Sequence, residues 1–136
     1  MNEMRIRQRL NNLGNAIARL QEALSEPPEN PLFIDGTIQR FEFTFELFWK
    51  TFKAILEAEG LEITTPREAL RYAYQAGWIT DEQAWLRMLR SRNESSHIYN
   101  ESAARRIYEE IRQNFPALKM AFSKIQAWST QSTTPD

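Results

Sequence analysis

The run Arg90-Ser91-Arg92-Asn93-Glu94-Ser95-Ser96-His97-Ile98-Tyr99 gathers most of the unusual polar choices in this chain, including its one histidine. An imidazole titrates near neutrality and can move a proton. A guanidinium can grip a phosphate through a fork of donors, and Asn or Ser can position a hydroxyl. Those are the parts needed for a ribose 2′-hydroxyl to attack its own phosphodiester. Arg92 and His97 are therefore the candidate catalytic pair, with Asn93 and Ser96 as candidates for holding substrate. Five residues along an unbroken helix turn about 140°, so Arg92 and His97 share a face only if the helix ends between them. Asn93, Ser95 and Ser96 favour such an ending, because their side chains compete for backbone hydrogen bonds.

Whatever positions this segment must be built from 136 residues with 17 basic and 18 acidic side chains, 42% hydrophobic content and no cysteine. That length suits one domain whose core needs no disulfide or structural metal. Without cysteine, thiolate zinc sites and cysteine nucleophiles are excluded. A formal net charge of −1 argues against non-specific coating of nucleic acid, which scales with the phosphates neutralised, although a local basic patch is compatible with it. No window approaches the ~18 uninterrupted apolar residues of a membrane span. The opening Met1-Asn2-Glu3-Met4-Arg5-Ile6-Arg7 lacks the apolar run and cleavage site of a secretory signal, so the expectation is a cytoplasmic protein without membrane association.

Apolar residues at Ile6, Leu10, Leu13, Ile17, Leu20 and Leu24 predict a first helix from about Asn2 to Leu24. Three prolines within Ser25 to Pro31 predict a loop. Arg40 to Leu47 alternates like a strand, but Ile38, Phe41, Phe45, Phe48, Phe52 and Ile55 keep helical spacing through Thr37 to Glu59, a stretch without Gly or Pro. Phe43 and Leu47 fall opposite that stripe, so this helix is apolar on two sides, suited to a central position or to a second subunit. Gly60 ends it. Thr65-Pro66-Arg67-Glu68 reads as a capping box opening a short helix that Gly77 ends, and Thr80-Asp81-Glu82-Gln83 repeats the signature before Trp85, Met88 and Leu89. A last helix begins near Asn100 to Ser102 and carries Ile107, Ile111, Phe115, Leu118, Phe122 and Ile125, with a kink or break expected at Pro116. The fold class is an all-α, antiparallel bundle of four to five helices, one domain over 1–128, with 129–136 a disordered polar tail.

Extending the fourth helix puts Arg92 in the sector of Trp85, Met88 and Leu89, where the pattern calls for an apolar residue. A buried guanidinium needs an acidic or phosphate partner, and Glu42, Glu46 and Glu94 are the acidic candidates. On pattern alone an internal ion pair is favoured. Metal binding is set aside: Glu42, Glu46 and Glu57 resemble carboxylate sites, but no Glu-x-x-His pair exists. No cofactor is implied.

Arg92, four intervening residues, His97, one residue and Tyr99 resemble the Arg-x4-His-x-Tyr motif of HEPN-superfamily proteins of the HepT type. The run from Ile38 to Lys50 resembles the second-helix signature of the nucleotidyltransferase substrate-binding protein family, a branch of that superfamily. Thr65 to Glu68, Ala76-Gly77 and Trp85 are also placed as in that family. The resemblance implies a homodimer encoded beside an MNT-type nucleotidyltransferase. In HepT-like systems the helical protein is a toxin with metal-independent ribonuclease activity, silenced when its partner transfers AMP to the motif tyrosine. Carried over, Arg92 contacts the scissile phosphate, His97 is general acid or base, Asn93 orients substrate and Tyr99 accepts AMP. Arg87, Arg90, Arg92, Arg105 and Arg106 would supply a local basic groove for RNA. The other function implied is a non-catalytic subunit that presents a nucleotide or other substrate to the nucleotidyltransferase.

Overall fold

The computed structural model describes residues 2–95 and 100–132. Five helices follow in order: α1 (Asn2–Leu24), α2 (Pro31–Ala58), α3 (Pro66–Gln75), α4 (Glu82–Ser95) and α5 (Glu101–Ser132). Among the described residues there is no strand, and no helix is long and apolar enough to cross a membrane. The all-α bundle expected from the sequence is what the chain forms.

Helix α2 is the one element that packs against all four others. Phe41, Phe45, Phe48 and Phe52 are fully buried along one side of it, and Trp85 of α4 sits against the last three with ring centroids 5.1–6.1 Å apart. Trp78, after α3, stacks on Phe52 and meets Trp128 of α5 edge-on. The flank of α2 facing α1 carries Thr37, Thr44 and Thr51, all fully buried at seven-residue spacing. Each hydroxyl donates to the carbonyl four residues back, at 2.6–2.7 Å, which satisfies it without a long side chain. Small, satisfied residues let the helices approach closely: the Thr44 hydroxyl also lies 3.4 Å from the Ala16 carbonyl.

Cross-helix pairs give the directions. Ala16 meets Thr44 and Arg19 meets Arg40, so α1 and α2 are antiparallel. Glu46 meets Arg92 and Glu42 meets Ser95, so α2 and α4 are antiparallel. Ser91 meets Glu110 and Glu94 meets Arg106, which makes α4 and α5 antiparallel as well.

Several boundaries fall where the capping chemistry placed them, and others do not. The box at Thr65 forms in full, with Glu68 N donating to the Thr65 hydroxyl and Thr65 N to the Glu68 carboxylate. Gly60 and Gly77 take φ of +95° and +84° just past their helices. Helix α2, however, starts at Pro31 rather than near Thr37. Asn30 is its cap, accepting from Leu32 N at 2.9 Å, and Pro31 is preset for the first turn, so a proline read as loop is a helix start and Gly36 lies inside the helix. Helix α4 is capped by Asp81, which accepts from Ala84 N, rather than by Thr80.

The break expected at Pro116 does not occur, and α5 is continuous across it. Pro116 and Arg112 are both on the exposed side, where water can take the carbonyl left without a donor. Ile111, Phe115, Leu118 and Ile125 are buried on either side and hold the helix to the core. Helix α5 also continues past Trp128 to Ser132, into the stretch read as a tail; 133–136 lie outside the described residues.

Two substitutions test this packing. Trp85→Ala should cost about 3–5 kcal/mol, the range for emptying a fully buried aromatic site, read as a lower urea midpoint. Pro116→Ala should instead stabilise, by on the order of 1–3 kcal/mol, because it restores an intrahelical bond without touching the core. A destabilised Pro116→Ala protein would mean the ring is needed where it stands.

Candidate functional site

Because Trp85 fixes the rotation of α4, the residues one and two turns later are fixed too. Ser91 is buried and donates to the Glu110 carboxylate of α5. Arg92 reaches the other way, its Nη2 lying 3.0 Å from Glu46 Oε2 of α2. The Ser95 hydroxyl donates to the Glu42 carboxylate, one turn back along α2, and also lies 2.8 Å from the Arg92 carbonyl. Glu94 pairs with Arg106 of α5 at 2.9 Å, and Arg106 also reaches Glu110. The C-terminal turn of α4 is thus tied to α2 on one side and α5 on the other.

Glu46 is the centre of this arrangement. Besides Arg92 it accepts from the Trp49 indole at 3.1 Å and pairs with Lys50 at 3.4 Å. Burial pushes its carboxyl upward, but the Trp49 hydrogen bond and the charges of Arg92 and Lys50 together outweigh that and hold it below the usual glutamate value. Arg92 stands in the last turn of α4, where a cation also complements the helix dipole.

The ion pair favoured on pattern alone is the one observed, with Glu46 chosen from the three candidates. The burial inferred for Arg92 is corrected: its side chain is 38% exposed. The apolar stripe of α4 ends at Leu89, so Arg92 emerges at the rim of the interior, and the polar residue that is buried there is Ser91. Asn93 is exposed on α4. Ser96, His97 and Tyr99 lie outside the described residues. The pairings Glu42–Ser95 and Ser91–Glu110 were missed in the sequence; the signal for the first was two glutamates four apart on α2, which share a face.

The expected basic groove is largely compensated. Arg92 pairs with Glu46, Arg105 with Glu101, and Arg106 with Glu94 and Glu110. Arg105 also donates to the Pro28 carbonyl in the α1–α2 loop. An anion arriving at Arg92 meets a guanidinium already held in place by a carboxylate, with five donors of which Glu46 takes one.

The profile of the family described as nucleotidyltransferase substrate binding protein like matches residues 8–127. The chain belongs to that family. Two solved structures share its fold. A protein from Thermus thermophilus is 36% identical with a TM-score of 0.75, covering 82% of this chain and 97% of its own. A Haemophilus influenzae protein, described as revealing the fold of a substrate binding domain of a nucleotidyltransferase, is 25% identical with a TM-score of 0.76, covering 86% and 98%. A probable ribonuclease HepT from Haemophilus influenzae is 32% identical over 83 residues, and the match spans 57% of each chain.

The network around Glu46 should be visible in its pH dependence. A carboxyl held below its ordinary value stabilises the fold above that value, 4.5, and loses the contribution as pH falls through its lowered folded value. Urea midpoints of parent and Glu46→Gln should therefore differ most near neutrality and converge as pH falls below 4.5 and through the lowered folded value. A difference unchanged by acid would show that Glu46 acts by shape rather than by charge.

Proposed function

We propose that this chain is the helical, homodimeric partner of an MNT-type nucleotidyltransferase encoded nearby, and that it is the toxin half of the pair, a cytoplasmic metal-independent ribonuclease. The observation that carries the reading is the placement of Arg92: a guanidinium fixed by Glu46 yet 38% exposed, at the end of α4 immediately before the segment that holds His97. Similarity to a probable ribonuclease HepT supports it.

In this mechanism Arg92 holds a non-bridging oxygen of the scissile phosphate and stabilises the charge that grows there. The ribose 2′-oxygen attacks phosphorus, the bond to the 5′-oxygen breaks, and the products are a 2′,3′-cyclic phosphate and a free 5′-hydroxyl. His97 of one protomer takes the 2′ proton or delivers one to the leaving oxygen, with the two motifs of the dimer meeting across its axis. Asn93 and Ser96 orient the ribose. Tyr99 accepts AMP from the nucleotidyltransferase, its phenolic oxygen replacing pyrophosphate on the α-phosphorus of ATP, and the bulky anion closes the site.

A second reading has its own support. The carboxylates paired with Arg92, Arg105 and Arg106 leave little net positive charge for a long polyanion. That favours a non-catalytic subunit in which Arg92 and His97 hold a small phosphorylated substrate for the nucleotidyltransferase.

An RNA-cleavage assay in EDTA separates the two. The parent should cut, and His97→Ala should lose about 10²-fold or more of the rate while keeping its helicity by circular dichroism. Intact mass after incubation with the nucleotidyltransferase and ATP should show one added adenylyl group, absent in Tyr99→Phe. Equal cutting by parent and His97→Ala would sink the catalytic assignment. Co-purification with the nucleotidyltransferase, without cleavage under any metal condition, would favour the second reading.

A further inference from the structure

Among the ion pairs of the described residues, Glu46 is the one carboxylate that serves two cations. Arg92 Nη2 lies 3.0 Å from its Oε2 and Lys50 Nζ lies 3.4 Å from its Oε1, so α4 and α2 each bring a positive group to one oxygen of the same acid. The depths differ in a consistent direction. Glu46 is 30% exposed, against 38% for Arg92 and 48% for Lys50, which puts the acid behind both cations as met from solvent.

The use of donors is as uneven as the depth. The Trp49 indole N–H also donates to Glu46 Oε2, at 3.1 Å, so donors from three side chains cover the acid. Arg92 spends on it one of five N–H groups and Lys50 one of three, and neither pairs with a second carboxylate among the described residues. Glu42, one turn back along α2, is taken by the Ser95 hydroxyl. Lys53 stands over the Trp49 ring, 6.0 Å from its centroid, and adds a third cation to this flank. The next acid along α2, Glu57, pairs with neither lysine. Across α4 the balance is reversed, since two carboxylates, Glu94 and Glu110, share the single guanidinium of Arg106. Free donors therefore collect on the α2 side of Arg92.

We infer that Lys50 is a second phosphate contact: Arg92 and Lys50 hold adjacent phosphates of one RNA strand, with Glu46 setting their separation from behind. This rests on the reading that RNA meets the protein at Arg92, and it names what that site selects. Two cations held to the two oxygens of one acid are spaced on the scale of a nucleotide, so they favour a chain with successive phosphates over a lone phosphate group. The strand also gains a direction. Helix α4 ends beside Glu42, so Lys50 takes the phosphate on the side of Arg92 away from that end.

Fluorescence anisotropy with labelled 2′-O-methyl octauridylates, which cannot be cleaved, tests the contact on the full chain apart from catalysis. Three probes differ only in which linkages are charged phosphates and which are neutral methylphosphonates: one charged, two adjacent charged, or two charged at opposite ends. The parent should bind the adjacent pair about tenfold or more tightly than the other two probes. Lys50→Ala, an exposed change that cannot empty the core, should erase that preference, and Lys50→Arg should keep it. On the all-phosphate strand Lys50→Ala should also flatten the slope of log affinity against log salt by about 0.7, the share of one phosphate. Equal weakening of all three probes in Lys50→Ala would show that Lys50 acts through Glu46 and would overturn the contact. So would a parent that binds the separated pair or the single phosphate as well as the adjacent pair, or that binds none of them. A preference for the adjacent pair in a parent that does not cut RNA supports the contact and removes the ribonuclease reading alone. Cutting without that preference does the reverse.

Discussion

The contact between Trp85 and the phenylalanines of α2 sets the geometry on which the polar end of α4 depends. A helix of fourteen residues packed by one fully buried indole cannot rotate without moving that ring away from Phe45, Phe48 and Phe52 together. Arg92 lies seven residues beyond Trp85, within about 20° of the same face, so the aromatic lock carries directly to it. The antiparallel run of α2 then brings Glu46 and Glu42 opposite Arg92 and Ser95 in turn. Hydrophobic packing chooses the rotation, and hydrogen bonds to carboxylates use the result.

Charge compensation around Arg92 is the second constraint, and it works in both directions. A half-covered guanidinium without a counter-ion would carry a desolvation penalty, and Glu46 removes most of it. Glu46 is itself shared among Arg92, Trp49 and Lys50, so its negative charge is spread over three donors and grips Arg92 less exclusively than a private pair would. Such sharing is compatible with a phosphate taking part of the coordination while the side chain stays in place. Glu46 orients Arg92 through one of its five donors.

The bundle was legible in the sequence because the apolar spacing of Phe41 through Ile55 and of Ile107 through Ile125 is too long and regular for anything else. The two prolines depart from the expectation for one reason: what a proline does to a helix depends on its surroundings. Pro31 starts a helix because Asn30 caps it, and Pro116 continues one because its exposed side lets water replace the missing bond. Arg92 was placed on the right face but at the wrong depth, since periodicity gives an angle and says nothing about where along the axis the interior ends. The threonines at Thr37, Thr44 and Thr51 went unnoticed because a hydroxyl counts as polar in a pattern. In a helix it can hide its polarity on the carbonyl four residues back.

Helix α2 divides its circumference among three tasks, and the division explains its odd composition. One side is core, and the flank with Glu42 and Glu46 receives α4. The remaining arc carries Gly36, Gln39, Arg40 and Phe43, which line the open groove beside α1. A helix touching every other element has its core side specified several times over, so the loss of helix propensity at Gly36 and the exposure of Phe43 can be borne without altering the fold. The same redundancy makes substitutions on that arc clean reporters. They change what the surface can hold while the aromatic side keeps the bundle, and with it Arg92, in position.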